Sequence, residues 1–502
     1  MYPIRMRGLP GRTGGSQEDY APAVAETAPL EPREDRPRLA DREAVLALLS
    51  RYIAEAWRSF DEPRPEEPPV DAALAARLRE PLPEQGVAPE EALDDAVRVL
   101  DASVSPSRPL YLAYIGSTGL EVGVLGAALS ATYDVNLAVT AGGAELVERQ
   151  ALEWVASFIG YPYSFGAFTS GGMTSNLTAL LAARERALPG ARREGLSGRR
   201  GAVYCSDEAH HSVMRAVEAC GLGSDNVRRL PLDDLRRMRA GDLDAAIAAD
   251  ARAGIAPVAV VANGGTTLTG AVDPLEEVAG VCERHGVWLH VDGAYGLPAA
   301  ATPTGAPLFR GLERADSLTL DAHKWLGVQK SCSLVLLRDG TALQDAFGHQ
   351  ERYMLRRDGE LNAVDRTLEY SRPFRSAKLW LAFRIHGAAA FRHYLEHTLQ
   401  LSRRFEALVE REPRFELLHR PQLSTVCFRH VPRDGMTALD LDAHNRDLAH
   451  AVQSDGRLYL APAVVDEHVC LRVCFVNFRT NEAEVDGILD VVREVAATLA
   501  LS

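Results

Sequence analysis

Lysine is almost absent from this chain of 502 residues. Only Lys324, Lys330 and Lys378 are lysines among 55 basic residues, and all the others are arginine. Arginine supplies positive charge, but its guanidinium stays protonated and is a poor nucleophile. A reaction that needs an amine to form a Schiff base therefore has three candidate positions. The residues around Lys324 favour it as the reactive amine, whereas Lys330 and Lys378 are equally well interpreted as surface lysines.

The sequence also lacks an excess of positive charge and long apolar runs. The formal net charge is -14 at pH 7, which argues against a surface that binds nucleic acid. No apolar stretch is long enough to span a bilayer, and the first thirty residues have no apolar signal-peptide region. We therefore expect a cytoplasmic protein with neither nucleic-acid nor membrane partners.

Cysteine patterns that would indicate a disulfide framework or a metal site are missing. The seven cysteines are an odd number and include no CxxC pair. His210 and His211 are adjacent, but no further His, Cys or Asp follows them at zinc-like spacing. We expect no metal.

Short apolar runs alternate with helical stretches in the middle of the chain. Buried strands joined by helical crossovers indicate a mostly parallel α/β sheet that is covered on both faces. On such sheets, ligands bind beyond the carboxyl ends of the strands. Strands are predicted at residues 201–204, 258–262, 287–291, 317–320 and 333–337, and later at 424–428 and 469–474.

Composition divides the chain into four predicted parts. Residues 1–37 are rich in Gly, Pro, Glu and Arg and are predicted to be a flexible tail. An apolar stripe at helical spacing predicts an N-terminal helical segment over residues 38–107. Residues 108–385 are expected to form a large domain that carries the site, and residues 386–502 a small C-terminal α+β domain.

Three elements of the predicted large domain favour one cofactor, pyridoxal 5'-phosphate (PLP). The glycine loop at residues 169–176 precedes a helix predicted at 177–186, and such a helix N-terminus binds phosphate. Asp292 and Lys324 each follow a strand, thirty-two residues apart. The lysine would form a Schiff base, and the carboxylate would keep a pyridine nitrogen protonated. Each element alone has an ordinary alternative, a capped turn for the loop and a helix cap for Asp292.

These motifs are similar to those of the PLP-dependent group II amino acid decarboxylases, a family that includes aromatic-amino-acid, glutamate, histidine and diaminobutyrate decarboxylases. The resemblance implies fold type I, with a mostly parallel seven-stranded sheet in the large PLP-binding domain, a small C-terminal domain and an N-terminal helical segment. It also implies a homodimer with shared active sites. The matching stretches are residues 169–176, 206–210, 265–267, 290–296, 321–325, 374–380 and 471–473.

The resemblance implies a role for each matching position. Lys324 would carry PLP, Asp292 would pair with the pyridinium nitrogen, and His210 would stack on the ring opposite Ala294. On the phosphate side it implies Gly172, Met173 and Thr266, and it places His323 on the phosphate or the substrate side. On the substrate side it implies Tyr114, Ile115 and Ser117, with Arg472 and Arg375 close to the site or in structural ion pairs.

One family feature is out of register in this chain. Relatives use a loop tyrosine to protonate Cα after CO2 has left, and counting back from Phe374 places that position near Ala363. Tyr353 and Tyr370 are the nearest tyrosines, and a gap in the loop would bring Tyr370 into register. The resemblance implies decarboxylation to an amine, and the absence of that tyrosine would make oxidative decarboxylation to an aldehyde the alternative.

Other interpretations of the same fold stay open. Ile115 stands where aromatic-specific relatives tend to have an aromatic ring, which weakens the case for an aromatic substrate. A carbon–carbon lyase, a cysteine desulfurase and a non-catalytic binding module are further alternatives. The intact set of Lys324, Asp292 and His210 argues against the last of these.

Overall fold

The computed structural model describes residues 39, 41–61, 70–116, 119–139, 141–349 and 363–499. The predicted tail at residues 1–37 lies outside the described residues, as do the candidate substrate residues Ser117 and Tyr353. None of the helices in the described ranges is long and apolar enough to cross a membrane.

Fourteen α-helices and eleven strands form the described part of the chain. The helices are α1 Arg42–Phe60, α2 Ala72–Arg77, α3 Pro89–Asp101, α4 Glu121–Tyr133, α5 Gly143–Ile159, α6 Gly172–Ala187, α7 Ala191–Glu194, α8 His211–Ala219, α9 Ala240–Arg252, α10 Leu275–His285, α11 Thr341–Phe347, α12 Ser376–Arg411, α13 Ala438–Asp455 and α14 Glu482–Leu499. The strands are β1 Phe165–Thr169, β2 Gly201–Ser206, β3 Val227–Leu230, β4 Ala256–Asn263, β5 Trp288–Asp292, β6 Ser317–Asp321, β7 Ser333–Leu337, β8 Phe415–Leu417, β9 Thr425–His430, β10 Ala461–Val465 and β11 His468–Cys474.

A seven-stranded mixed sheet carries the site. Its strand order is β1-β7-β6-β5-β4-β2-β3. Strand β7 runs antiparallel to β1 and β6, and the remaining pairs are parallel. The mostly parallel sheet predicted from the sequence is therefore confirmed. Its central strands are buried along their whole length, as expected for strands covered by helices on both faces.

Two strands of this sheet were missed from the sequence. Strand β3 reads Val-Arg-Arg-Leu and lies at the edge of the sheet, where charged side chains are tolerated because one side is unpaired. Strand β1 reads Phe-Gly-Ala-Phe-Thr, which has few β-branched residues. Helix α6 was also predicted to begin too late, since it starts within the glycine loop at Gly172.

The C-terminal part of the chain forms a second, antiparallel sheet. Its order is β10-β11-β9-β8, and Phe405, Phe428 and Phe475 lie in the core that it shares with α12, α13 and α14. Helix α12 spans the domain boundary predicted at 385/386. Gly387, at φ 75° and ψ 157°, interrupts its helical conformation there.

Lys378 is buried in α12, so the interpretation as a surface lysine is wrong for this residue. Its Nζ donates to the carbonyl oxygens of Gln329, Lys330 and Ser331 at 3.2, 2.8 and 3.2 Å. Ser331 has a positive φ of 61°, and this turn lies between the end of the Lys324 segment and β7. The three N–H donors of one ammonium group match three converging carbonyls, which a planar guanidinium does not.

We predict that Lys378→Met lowers the free energy of unfolding by about 2–4 kcal/mol, because buried carbonyls lose their donor. Lys378→Arg should also destabilise the fold, since a larger planar group does not fit the same three acceptors. Urea unfolding measures both effects. Lys330→Arg, at the exposed neighbouring lysine, is the control and should change stability by less than about 0.5 kcal/mol. Equal stability of Lys378→Arg and the wild type would contradict the prediction.

Candidate active site

A cavity of about 340 Å³ lies beyond the carboxyl ends of β4, β5 and β6. Parallel strands end at the same edge of a sheet, so the residues that follow them converge there. Seven residues predicted from the sequence line this cavity: Gly172, Met173, His210, Thr266, Asp292, Ala294 and Lys324.

The Lys324 amine is held by a buried carboxylate at the end of β6. Its Nζ lies 3.1 Å from Oδ2 of Asp321, and Oδ1 of Asp321 accepts a hydrogen bond from the Ser333 hydroxyl at 2.5 Å. Gly172 approaches the same carboxylate closely. A Cβ at residue 172 would stand 3.0 Å from Oδ2 of Asp321 and 3.3 Å from Cβ of Ala294. A side chain at residue 172 would therefore crowd Asp321 and Ala294, which favours glycine at the start of α6.

Asp292 ends β5 as a buried carboxylate with two donors. Its Oδ2 accepts from Nδ2 of Asn176 at 2.8 Å, and its Oδ1 accepts from the backbone N–H of Ala294 at 3.2 Å. A buried carboxylate needs such partners to remain charged. The arrangement presents an anion to the cavity, as a pairing with a protonated ring nitrogen requires.

His210 caps helix α8 and presents a neutral ring to the cavity. Its Nδ1 accepts from the backbone N–H of Ser212 at 3.2 Å and contacts the Ser212 hydroxyl at 2.8 Å. Because Nδ1 is an acceptor, the proton of the neutral ring lies on Nε2. Desolvation lowers the pKa of His210, which favours this neutral form. A neutral, flat ring at the cavity wall can stack on an aromatic cofactor.

The start of α6 forms the anion-binding end of the cavity. Gly172 and Met173 lie in the first turn of a helix of sixteen residues, where backbone N–H groups have no acceptor within the helix. His323 lies nearby, with Nε2 3.7 Å from Oδ2 of Asp321. Burial lowers its pKa. It does not line the cavity itself, so a role toward the phosphate stays a prediction.

The Thr266 hydroxyl is engaged within the protein. It donates to Oε2 of Glu208 at 2.7 Å, and the Thr269 hydroxyl donates to the same oxygen at 2.6 Å. Oε1 of Glu208 accepts from Nε of Arg236. This network fixes the loop that follows β4, and the predicted phosphate contact of Thr266 stays a prediction.

Arg472 holds backbone segments rather than a carboxylate. Its Nε and Nη1 donate to the carbonyls of Leu268 and Tyr114 at 3.1 and 3.0 Å, and Nη2 donates to that of Thr267. Tyr114 has a positive φ of 54° and its side chain is exposed. Ile115 packs partly buried against the large core. Arg472 thus joins the predicted substrate segment to the loop beside the cavity.

The remaining candidates near Phe374 lie away from the cavity lining. Arg375 forms a two-pronged ion pair with Glu369 at 2.7 and 3.0 Å, which is the structural role that the sequence left open. The Tyr370 hydroxyl contacts Nε2 of His349. Ala363 begins a short 3₁₀ helix, Ala363–Asp365.

The residues around the cavity fit PLP. An amine, an anion suited to a pyridinium nitrogen and a helix N-terminus suited to phosphate face one volume. Sequence reasoning assigned no role to Asn176, Ser212 or Asp321, although Asn176 and Asp321 lie inside the quoted motifs. Asn176 could have been found if the helix had been predicted to begin at Gly172, because it would then be a polar residue in the second turn, behind the glycine loop. Within the described ranges, no group of three or more His, Cys, Asp or Glu side chains could hold a metal ion.

The buried ring of His290, in β5, makes stability depend on pH. Burial lowers its pKa from 6.5 to about 4. Between these values the unfolded chain binds a proton that the folded chain does not, so stability is lost as pH falls from about 6.5 toward 4. We predict that this group contributes roughly 3 kcal/mol of that loss. Urea unfolding across this range should show a shallower pH dependence for His290→Gln, and an unchanged one for His211→Gln at an exposed site. Identical slopes for His290→Gln and the wild type would refute the assignment.

Comparison with known families gives a match over most of the chain. The family model described as the pyridoxal-dependent decarboxylase conserved domain matches residues 75–431. An aromatic-L-amino-acid decarboxylase of Bacillus atrophaeus is 33% identical over 437 residues, which cover 86% of this chain and 90% of the relative. A phenylacetaldehyde synthase of Arabidopsis thaliana is 29% identical over 472 residues, which cover 90% of this chain and 95% of the relative.

Solved structures show the same architecture. The crystal structure of Oryza sativa TDC with PLP and tryptamine superposes with a TM-score of 0.86 at 26% identity, covering 92% of this chain and 99% of that one. Rhodiola rosea 4-hydroxyphenylacetaldehyde synthase superposes with a TM-score of 0.83 at 25% identity, with the same coverage of 92% and 99%. Fold type I and PLP as the cofactor follow from these matches together with the site. This chain belongs to the pyridoxal-dependent decarboxylase family.

Proposed function

We propose that the protein decarboxylates an aromatic L-amino acid, releasing CO2 and an amine. The observation that carries the proposal is the convergence of the Lys324 amine, the Asp292 carboxylate and the N-terminus of α6 on one cavity in a chain of this family. The aromatic substrate class rests on the names of the similar relatives. Ile115 is a weak indication to the contrary, because aromatic-specific relatives tend to have an aromatic ring at that position.

The residues of the chain have distinct tasks in this reaction. When bound, PLP supplies a carbonyl for the amine and a ring that accepts electrons from the breaking Cα–carboxylate bond. Lys324 would hold the cofactor, and Asp321 keeps the lysine amine in place. Asp292 would keep the ring nitrogen protonated, and His210 would cover one face of the ring with its Nε2 proton directed into the cavity. Ala294 would pack on the opposite face, while Gly172 and Met173 would bind the phosphate through backbone N–H groups.

We predict that Lys324→Ala abolishes both the visible absorbance band of the bound cofactor and CO2 release from aromatic amino acids. The physical reason is that alanine has no amine to hold the cofactor covalently. Absorbance spectroscopy and release of labelled CO2 measure the two effects. Lys330→Ala is the matched control and should keep both signals. Turnover by Lys324→Ala at more than about one-thousandth of the wild-type rate would refute the role of Lys324.

A second product is favoured by the similarity to two aldehyde synthases and by the count along the sequence that places the Cα-protonating tyrosine of relatives near Ala363. If no residue delivers a proton to Cα, O2 could instead take up the two electrons that loss of CO2 releases. The balanced reaction consumes an amino acid, O2 and H2O and yields an aldehyde, CO2, NH3 and H2O2. One peroxide per CO2 would identify this aldehyde-forming activity, and amine without peroxide would identify the decarboxylase.

We further propose that the active enzyme is a homodimer. Helix α4 is apolar on nearly all sides, yet Leu125, Leu129 and Tyr133 are 52, 55 and 78% exposed in the single chain. A helix of this kind is normally buried. Helix α1 also has no buried residue. A second copy of the chain would cover these surfaces. A cytoplasmic location, expected from the sequence, stays a prediction.

We predict that Leu129→Glu converts the dimer to a monomer, because a charge would be buried at the contact. Size-exclusion chromatography with light scattering measures the mass. Leu439→Glu is the control, since Leu439 is 81% exposed on α13 in the small domain, and this variant should stay dimeric. A wild-type protein that is monomeric at micromolar concentration would overturn the dimer proposal.

A further inference from the structure

A buried chain of hydrogen bonds leads from Trp288 through Asn176 to Asp292. Nε1 of Trp288 donates to the Ser317 hydroxyl at 2.8 Å, and this hydroxyl contacts Nδ1 of His290 at 2.8 Å. Nε2 of His290 lies 3.0 Å from Oδ1 of Asn176, whose Nδ2 donates to Asp292. These side chains are between 0 and 7% exposed. We call this series the Trp288–Asp292 relay.

The directions of the hydrogen bonds in the relay follow from the Asp292 end. The Asp292 carboxylate only accepts, so the NH2 group of Asn176 faces it and Oδ1 faces His290. Nε2 of His290 must then carry the ring proton, and Nδ1 of the neutral ring accepts. The Trp288 end is compatible with this tautomer, because the indole only donates to the Ser317 hydroxyl and leaves the hydroxyl proton available for Nδ1.

Neutrality of His290 is consistent with its surroundings. The ring is fully buried, and burial lowers its pKa to about 4. A second, longer contact joins Nε2 to the Thr319 hydroxyl at 3.4 Å, and it is compatible with the same tautomer. At neutral pH the ring therefore carries one proton, on the nitrogen that faces Asn176.

The orientation of the Asn176 amide affects two residues that line the cavity, Asp292 directly and His210 through Ser212. Besides the bond to Asp292, its Nδ2 donates to the Ser212 hydroxyl at 3.0 Å. That hydroxyl in turn contacts Nδ1 of His210 at 2.8 Å. If the amide turned over, Oδ1 would face the carboxylate of Asp292 at 2.8 Å and could not donate to Ser212. The charge of Asp292 and the tautomer of His210 would both be disfavoured.

We propose that His290 is a positioning residue for the cofactor: its Nε2 proton locks the Asn176 amide in the one orientation that stabilises anionic Asp292 and orients His210. The inference rests on the proposed function, because it assigns a pyridinium nitrogen as the partner of Asp292. His290 does not touch the cavity and acts only through Asn176.

The test compares the affinity of the apoenzyme for PLP and for 1-deaza-PLP, in which carbon replaces the ring nitrogen. Because the analogue makes no ion pair with Asp292, the relay should matter much more for PLP than for the analogue, on which it can act only through His210. We predict that His290→Leu weakens PLP binding at least tenfold and binding of the analogue less than twofold. His290→Gln, whose amide N–H can still donate to Asn176, should stay within threefold of the wild type for both ligands.

Two further variants keep the test decisive if His290→Leu fails to fold. Ser317→Ala removes the donor to Nδ1 and should weaken PLP selectively. Tyr161→Phe is the matched control, because it removes a buried hydrogen bond to the Ala315 carbonyl, 3.0 Å long, outside the relay. It should leave the ratio of the two affinities unchanged.

The outcomes separate this inference from the proposed function. Equal losses for PLP and the analogue in His290→Leu and Ser317→Ala would mean a merely structural role and would overturn the inference. A wild-type apoenzyme that binds PLP more tightly than the analogue would still support the proposed function in that case. A wild-type protein that binds neither ligand would overturn both.

Discussion

The buried Asp292 carboxylate is the group on which the arrangement of the site depends. An anion at the end of a buried strand is costly unless donors surround it. Asn176, from the first turns of α6, supplies the main donor, so the helix whose N-terminus would bind the phosphate also fixes the anion that would pair with the ring nitrogen. Under this proposal, one amide couples the binding sites for the two ends of the cofactor. The mixed sheet makes this coupling feasible because it places α6, β4, β5 and β6 around one edge.

The rarity of lysine has a structural meaning beyond the Schiff base. In this arginine-rich chain, Lys378 remains where three carbonyls converge on one nitrogen, and Lys324 remains where the proposed Schiff base would need an amine. Arg472, by contrast, spreads its donors over three separate carbonyls, which suits a wide planar group. The choice between the two cations follows from the geometry of their acceptors.

The sequence predicted the main features of the fold and the location of the candidate site, because the strands around the site are short, mostly apolar runs that end on polar residues. Asp292 and Lys324 could be placed at one edge for this reason, and the cavity contains both. The relay could not be predicted, since His290 and Ser317 lie on different strands and their contact depends on register. Strand β3 was missed because it contains two arginines, which fit the edge of a sheet but do not resemble the apolar runs used to predict the other strands. The surface interpretation of Lys378 failed because its burial depends on a distant turn.

The attachment of PLP to Lys324 is the central claim, and borohydride reduction tests it directly. The PLP-loaded protein would be reduced, digested with an arginine-specific protease and analysed by mass spectrometry. The account predicts one stable phosphopyridoxyl adduct per chain, which fragmentation of the peptide of residues 315–338 places on Lys324 and not on Lys330, the other lysine of that peptide. An adduct on the Lys330 or Lys378 side chain, or no adduct in a protein that binds PLP, would contradict the account.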